Sequence, residues 1–416
     1  MKIFVKINKF LIFFVLILIF SSDAYCRKDR DYELGLKKIE GKDYTGAVKE
    51  FDKVIKRNPK YSYAYYNRGL AYDRMNKLED AIRDYTEAIK IKPDYYEAYN
   101  NRGTVRDTLG DKKGAYVDYC KALEINAKYA LAYYNRGIWK SQRGDRRGAL
   151  SDYNLAVLFD PKYPNAWYNR GIVKNDMGND TGAIADYNEA IKLDPKFGVA
   201  YYNRGNVKRI MKDYDGAIAD YNEALKMDST AVNALNNRGL AKYGLKDVDG
   251  AIADYSEAIR INPNYFLPYC NRGIIKFEQR RASGGSAEYM NDFNKAIDLN
   301  PNYSIAYFHR GLAKKFLKDY PGAIDDFSMV AKLDSNYAYG YYNRGLVYYD
   351  WEKYKEAIPD FNTAIVKYPK YVEAYYYRGL SYFNLGKRND ACKDWKSAEE
   401  LGSKDAEYLL ESNCKE

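Results

Sequence analysis

The sequence predicts an all-α fold, an α-solenoid of eleven helix-turn-helix repeats closed by a C-terminal capping helix. One observation is the motif Asn67-Arg68-Gly69, which recurs every 34 residues as far as Asn271-Arg272-Gly273. A second is the single step of 38 residues that follows, to His309-Arg310-Gly311, after which the step of 34 resumes. A third is that Gly stands at position 8 of all eleven repeats and Ala at position 20 of ten. A fixed period of this length is typical of repeats that bury their apolar faces only against their neighbours.

The repeats divide the chain as follows. Gly35 lies 34 residues before Gly69 and marks a degenerate first copy, so the array runs from Lys28 to about Asp405. The repeat boundaries are 28–61, 62–95, 96–129, 130–163, 164–197, 198–231, 232–265, 266–303, 304–337, 338–371 and 372–405. The cap, residues 404–416, overlaps the end of the last repeat, and the apolar residues Ala406, Leu409 and Leu410 suit a short amphipathic helix.

Each repeat contains signals for two helices, helix A over about positions 2–14 and helix B over 18–30. Turn residues such as Gly178-Asn179 separate them, and pairs such as Asp194-Pro195 end helix B because proline lacks the N–H that a helix interior needs. Small residues at positions 8 and 20 allow close helix approach, and aromatic residues at positions 4, 24 and 34 fill the remaining space.

Counted from Ser62, a repeat has Tyr65 at position 4, Gly69 at 8, Ala81 at 20, Tyr85 at 24 and Pro93 at 32. This pattern resembles the tetratricopeptide repeat and covers about nine-tenths of the chain. The resemblance implies a right-handed superhelix that acts as a non-catalytic interaction scaffold. It suggests an exported bacterial member with an Asn-Arg-Gly signature.

Two positions depart from the family pattern. Position 7 is Arg and position 23 is Asp in the same ten repeats, and an antiparallel hairpin places these positions level, which predicts an Arg–Asp pair inside each repeat. Position 11 is Lys in seven repeats where the family prefers a large ring. We expect these lysines to lay their stems over apolar surface and to place their ammonium groups in water.

The N-terminus resembles a secretory signal peptide over residues 1–24. Lys2, Lys6 and Lys9 precede an apolar run over 10–20, too short to span a membrane, and small residues follow. Cleavage after Ala24 or after Cys26 fits, and the alternatives are a lipid anchor on Cys26 or an uncleaved anchor. We expect export to the periplasm, the extracellular space or the cell surface, with membrane contact only through this transient segment.

The composition argues against an enzyme and against nucleic acid. The chain has one histidine, His309, and no glycine-rich phosphate loop, so no catalytic set, metal site or cofactor site is predicted. The net charge of +10 is spread along the chain without a basic block, so no nucleic-acid partner is expected.

The functional hypothesis rests on position 6, which is asparagine in eight repeats. Asparagine is a mediocre residue for a helix interior, so packing alone does not explain it. The array resembles family members in which this asparagine grips an extended peptide, since a carboxamide matches a peptide group in donors and acceptors. The predicted asparagines are Asn67, Asn101, Asn135, Asn169, Asn203, Asn237, Asn271 and Asn343. The aromatic residues at position 5 beside them are Tyr66, Tyr134, Tyr168, Tyr202, Phe308, Tyr342 and Tyr376.

The predicted partner is therefore a peptide segment or a protein bound on the concave helix-A face. One alternative is a glycan or cell-wall polymer stacked in the tyrosine-rich groove. The other reading of the asparagines is that they are relics of duplication, bonded within their own helices.

Two local features complete the sequence analysis. The four extra residues of the eighth repeat, around 280–286, predict a longer turn between its helices, and Tyr289 replaces the small residue at position 20. Reflection about the turn near Gly402 places Cys392 level with Cys414, close enough for a disulfide. Cys120 and Cys270 lie five repeats apart and cannot meet in one rigid array.

Overall fold

The structure, a computed structural model, describes residues 30–283 and 288–414, and every regular element in those residues is an α-helix. The predicted targeting segment, 1–24, and Cys26 lie outside the described residues. The chain divides into two compact units after Ala200, within the helix Gly198–Ile210.

The helices of the N-terminal unit alternate between helix A, with an odd number, and helix B, with an even number. In the described residues they are α1 Arg30–Glu40, α2 Tyr44–Arg57, α3 Ser62–Arg74, α4 Leu78–Ile91, α5 Tyr96–Thr108, α6 Lys112–Ile125, α7 Ala130–Ser141, α8 Arg146–Phe159, α9 Pro164–Asp176 and α10 Asp180–Leu193. Helices α9 and α10 pack together as a hairpin, and α8 packs against α9.

The C-terminal unit continues the same alternation. Its described helices are α11 Gly198–Ile210, α12 Tyr214–Met227, α13 Val232–Gly244, α14 Val248–Ile261, α15 Phe266–Ser283, α16 Tyr289–Leu299, α17 Ser304–Phe316, α18 Tyr320–Leu333, α19 Ala338–Asp350, α20 Tyr354–Lys367, α21 Val372–Asn384, α22 Arg388–Glu400 and α23 Lys404–Asn413. Eleven hairpins followed by one short helix confirm the predicted fold class.

The turn between the two helices of a repeat has a recurring chemistry. The second residue after helix A adopts the left-handed conformation, as at Gly178 (φ 78°) and Lys246 (φ 64°). The N-cap of helix B follows, and Asp247 Oδ1 accepts from the backbone N–H of Gly250 at 3.0 Å. A left-handed residue ends a helix and an Asp N-cap starts one, so these turn residues fix both helix boundaries.

Close approach of the two helices depends on the glycine at position 8. A Cβ on Gly137 would lie 2.7 Å from Cε1 of Tyr153, closer than side-chain carbons can pack. Tyr153 and Ala149 are buried in this contact. Because these residue types recur, each hairpin except the eighth, where Tyr289 replaces the alanine, has a core of one ring held between small residues.

The eighth repeat corrects one expectation. The predicted longer turn begins later than expected, because α15 continues through Arg280, Arg281 and Ala282 to Ser283. Arginine and alanine are strong helix formers, and they extend helix A. Residues 284–287 lie outside the described residues. Tyr289 is fully buried, and its ring packs 5.2 Å, centroid to centroid, from that of Phe277 on helix A.

The C-terminal end is closed by α23. Ser403 caps this helix by accepting from the backbone N–H of Ala406 at 3.2 Å, and Ala406 packs into the cluster around Trp395. A disulfide joins Cys392 on α22 to Cys414, whose Cα atoms are 5.9 Å apart. The last hairpin is thus joined covalently to its cap.

Candidate peptide-binding face

The helix-A face is defined here as the side chains at positions 2, 5 and 6 of the first helices. First helices of successive repeats contact each other directly within each unit, as α7 and α9 do. Position 2 carries exposed apolar side chains, among them Tyr63 and Ile305, which are 41% and 46% exposed. The side chains at positions 5 and 6 are mostly half-buried. The face thus combines accessible apolar groups with polar groups held in place.

In the N-terminal unit the asparagines donate across repeats. The Nδ2 of Asn101 donates to the hydroxyl of Tyr66 at 3.0 Å, and that of Asn169 donates to the hydroxyl of Tyr134 at 3.1 Å. Asn135 follows a repeat with asparagine at position 5, and it donates to the Oδ1 of Asn100 at 2.9 Å. Each bond joins position 6 of one repeat to position 5 of the repeat before it.

The first of these bonds involves a residue that the sequence analysis did not single out. Asn67 donates to the hydroxyl of Tyr32 at 2.9 Å and also to the backbone oxygen of Tyr63. Tyr32 lies 34 residues before Tyr66, so the repeat period itself contained the signal. Burial raises the pKa of Tyr32 to about 12, and burial likewise raises the pKa of Tyr66.

In the C-terminal unit the same pattern continues and then stops. Asn237 donates to the hydroxyl of Tyr202 at 3.2 Å, and Asn271 donates to the Oδ1 of Asn236 at 2.9 Å. Asn343 instead donates to the backbone oxygen of Tyr339 in its own helix at 2.8 Å. Most of these Nδ2 groups therefore donate across repeats. Own-helix bonds also occur, because Asn101 and Asn237 accept at Oδ1 from the Nδ2 of Asn100 and Asn236 at 3.2 and 3.1 Å.

The remaining predicted residues lie where the repeat places them. Asn203 is half-buried at position 6 of α11, and the ring of Tyr168 lies 4.9 Å from that of Phe197. The ring of Tyr342 lies 4.6 Å from that of Tyr371. The ring of Tyr376 lies at 5.3 Å, edge on, from that of Tyr377. These tyrosines pack against other rings, so their ring faces are only partly available to a ligand.

The predicted Arg–Asp pairs are confirmed in ten repeats. In the fifth repeat, Nε and Nη2 of Arg170 donate to the two carboxylate oxygens of Asp186 at 2.8 and 2.6 Å. The third nitrogen, Nη1, donates to Oδ1 of Asn154 in the preceding repeat at 3.0 Å. The arginine therefore joins its own hairpin and also links it to its neighbour.

The expectation that the position-11 lysines place their ammonium groups in water is wrong. Nζ of Lys174 lies 2.8 Å from Oδ2 of Asp186, and the two side chains are 19% and 2% exposed. The same contact measures 2.8–3.0 Å at Lys140, Lys208, Lys242 and Lys314, and is longer at Lys38 and Lys276. A buried carboxylate requires compensating charge, and the lysine supplies a second cation beside the arginine.

The remaining observations concern a buried thiol, metal-binding side chains and membrane-spanning helices. Cys270 is fully buried, and burial raises the pKa of its thiol to about 12. Among the described residues, no group of three His, Cys, Asp or Glu side chains could hold a metal ion. None of the described helices combines the length and apolar character needed to cross a membrane.

Comparisons with known proteins agree with this repeat architecture. Tetratricopeptide repeat models match residues 62–95, 232–265 and 338–371, two further such models match 96–129 and 373–400, and a TPR repeat model matches 173–208 and 205–246. Together these matches span more than half of the chain. No curated relative matches the chain.

Solved structures with a similar fold share little sequence with this chain. YrrB, described as a TPR protein with an unusual peptide-binding site, is 21% identical over 44% of this chain and 95% of its own, with a TM-score of 0.41. Yeast Tom70 is 14% identical over 91% and 93%, with a TM-score of 0.44. The APC/C hetero-tetramer Cut9-Hcn1 is 13% identical over 95% and 98%, with a TM-score of 0.48.

Proposed function

This chain is a tetratricopeptide repeat protein, and on that premise we propose that it is a non-catalytic scaffold that binds an extended peptide or partner protein along its concave helix-A face. The observation that carries the proposal is the fixed orientation of the position-6 carboxamides beside exposed apolar groups. The Nδ2 of Asn169 is held by the hydroxyl of Tyr134, which turns the amide oxygen away from that hydroxyl. An oriented acceptor can take an N–H of an extended peptide without reorganisation.

The exposed apolar groups supply binding affinity, whereas the amides orient the ligand. Tyr63 and Tyr339 occupy position 2 in the two units and are 41% and 49% exposed. Aromatic anchors that become buried on binding contribute most of the affinity of a typical interface, while polar groups fix the orientation of the ligand. Position 6 is asparagine in most repeats, whereas position 2 varies between apolar, amide and carboxylate side chains. This combination suits a ligand recognised partly through its backbone.

The test is selection from a random peptide library on the immobilised protein, followed by affinity measurement of the selected peptides. Tyr63→Glu and Tyr339→Glu should weaken binding by about tenfold or more, because a charge replaces an anchor at the interface. The matched controls are Leu158→Glu and Val366→Glu on second helices, 65% and 76% exposed, which should change affinity by no more than about twofold.

The outcomes separate the candidate partners. Selected peptides that bind all four variants equally would remove the helix-A face from the proposal. If no peptide is selected and the protein is instead retained on purified cell-wall polymer, the ligand is a glycan. Tyr63→Glu should then abolish that retention.

We also propose that the protein is exported. The support is the signal-like segment at residues 1–24 and the Cys392–Cys414 disulfide, a bond that persists in oxidising compartments. Cell fractionation and the N-terminal sequence of the mature protein test this. A cytoplasmic protein with an intact N-terminus would refute it, and lipid attached to Cys26 would change export to anchoring.

A further inference from the structure

The row of cross-repeat bonds is interrupted around the ninth repeat. Position 5 is Cys270 in the eighth repeat and Phe308 in the ninth, and neither offers the oxygen acceptor that tyrosine or asparagine supplies at this position in the other repeats. Position 6 of the ninth repeat is His309, and Asn343 of the tenth turns to its own helix. The described contacts therefore lack the bond from position 6 to position 5 between the eighth and ninth repeats and between the ninth and tenth.

A cavity of about 440 Å³ lies at this interruption, within the C-terminal unit. Its apolar lining comes from Ile305, Phe308, Val330 and Tyr337, and its polar lining comes from Ser304, His309 and Asp334. The rings of Phe308 and Tyr337 are 5.9 Å apart, edge to face, so they form a continuous aromatic wall. This volume lies in the range of ligand pockets, about 300–1,000 Å³.

We propose that this cavity is the specificity pocket of the helix-A face, which takes one large apolar side chain, of the phenylalanine or leucine class, from a peptide that carries a cationic residue beside it. The proposal rests on the proposed function, because the peptide backbone would run along the same face. The pocket would select one side chain of the peptide, whereas the amides alone would bind the backbone of many sequences.

The charge around the cavity favours a cationic neighbour. Asp334 is the only charged side chain in the lining, and its Oδ1 is fixed by the backbone N–H of Asn336 at 3.1 Å. The carboxylate of Glu278 acts on His309 as well, since its charge opposes the lowering of the histidine pKa by burial. A basic residue next to the anchor would therefore meet the carboxylate of Asp334, whereas an acidic residue would be repelled by it.

The experiment uses His309 as its reporter, because it is the sole histidine of the chain and its imidazole resonances are unambiguous. The full-length mature protein is titrated at fixed neutral pH with three blocked dipeptides: acetyl-Phe-Lys-amide, acetyl-Ala-Lys-amide and acetyl-Phe-Glu-amide. The Phe-Lys probe should shift the His309 resonance saturably, with Kd on the order of 1 mM, a weak affinity suited to a single anchoring side chain.

The other two probes test the parts of the proposal. The Ala-Lys probe should bind at least about tenfold more weakly, because it lacks the buried ring. The Phe-Glu probe should bind about two- to fivefold more weakly, and added salt should narrow that difference. Absence of a saturable shift with Phe-Lys, or equal shifts with Phe-Lys and Ala-Lys, would overturn the proposal.

Two variants test whether the His309 shift arises from binding in the cavity. Ile305→Ala removes a half-exposed lining side chain and should weaken the Phe-Lys probe by about threefold or more, whereas Val366→Ala on a second helix should leave it unchanged. Circular dichroism confirms that both variants fold. If His309 responds as expected but no library peptide binds the protein, the pocket stands and the peptide-scaffold function fails. If library peptides bind the protein, but the probes do not shift His309 and Ile305→Ala does not weaken peptide binding, the peptide-scaffold function stands and the pocket proposal fails.

Discussion

Replacing Lys174 with methionine should loosen the hairpin of α9 and α10. Nζ of Lys174 lies 2.8 Å from Oδ2 of Asp186 and 3.5 Å from the backbone oxygen of Gly182. The Asp186 carboxylate is 2% exposed, so water cannot replace the lost cation easily. Methionine keeps the length and the apolar stem, and the change therefore removes mainly the charge and its hydrogen bonds.

The magnitude follows from the contacts. Asp186 keeps both bonds from Arg170, so the variant loses one charge-assisted bond rather than the whole pair. Such bonds contribute about 1.5–3 kcal/mol. Opening of this hairpin should become more frequent by about ten- to a hundredfold, since 1.4 kcal/mol corresponds to about a factor of ten. Lys174→Tyr should cost less, because the second and last repeats have Tyr72 and Tyr382 at this position.

The assay is native-state hydrogen exchange of the segments that cover α9 and α10, because repeats open locally and a single melting temperature averages over the array. The matched control is Lys315→Met, which removes an ion pair of 3.0 Å to Asp350, a carboxylate that is 40% exposed. That change should alter exchange by no more than about fivefold. Equal exchange in Lys174→Met and the parent protein would show that the ammonium contributes nothing and that our account of the triad is wrong.

Three further changes have measurable outcomes. Cys392→Ser with Cys414→Ser should destabilise the last hairpin by about 3 kcal/mol, because the bond closes a loop of 22 residues, and alkylation of both thiols in the unreduced parent protein would show that no bond forms. Tyr134→Phe should cost about 0.5–1.5 kcal/mol in hydrogen exchange of α7 and α9 by removing the acceptor of Asn169, and unchanged exchange would contradict this. NMR titration of His309 should give a pKa below 6.5 because burial disfavours the imidazolium. Stability should therefore fall as the pH drops through 6.5, where only the unfolded chain takes up the proton, and a pKa at or above 6.5 would contradict the burial.

Most of the fold could be predicted because one short pattern is repeated with little change. The predicted ranges are positions 2–14 for helix A and 18–30 for helix B. In the second repeat the helices are Ser62–Arg74 and Leu78–Ile91, which correspond to positions 1–13 and 17–30. No boundary differs from its prediction by more than one residue. In the eighth repeat, only the start of the predicted longer turn was wrong. The arginines and alanine before the turn continue the helix, and local propensity decided the outcome there.

The site was harder to predict because its contacts join different repeats. The sequence places asparagine at position 6 and tyrosine at position 5, but only the packing of successive first helices shows that Asn169 reaches Tyr134. The lysine contact could have been anticipated. Positions 7 and 11 are four residues apart on one helix face, so Arg170 and Lys174 both point toward Asp186. The two departures from the family pattern therefore form one cluster around a shared carboxylate.

The interruption at the ninth repeat allows stability and binding to be separated. Where position 5 is a bonded tyrosine, as at Tyr134, its hydroxyl both stabilises the contact between repeats and orients an amide, so removing it should impair both properties. At Phe308 the hydroxyl is missing, and Asn343 donates to its own helix instead. Phe308→Tyr would offer Asn343 the usual acceptor, which should strengthen the contact between α17 and α19, while it would add a polar group to the cavity wall. Hydrogen exchange should therefore slow in α17 and α19 as the Phe-Lys probe binds more weakly. Parallel changes in both measurements would mean that Phe308 is an ordinary core residue and that the cavity is a packing defect.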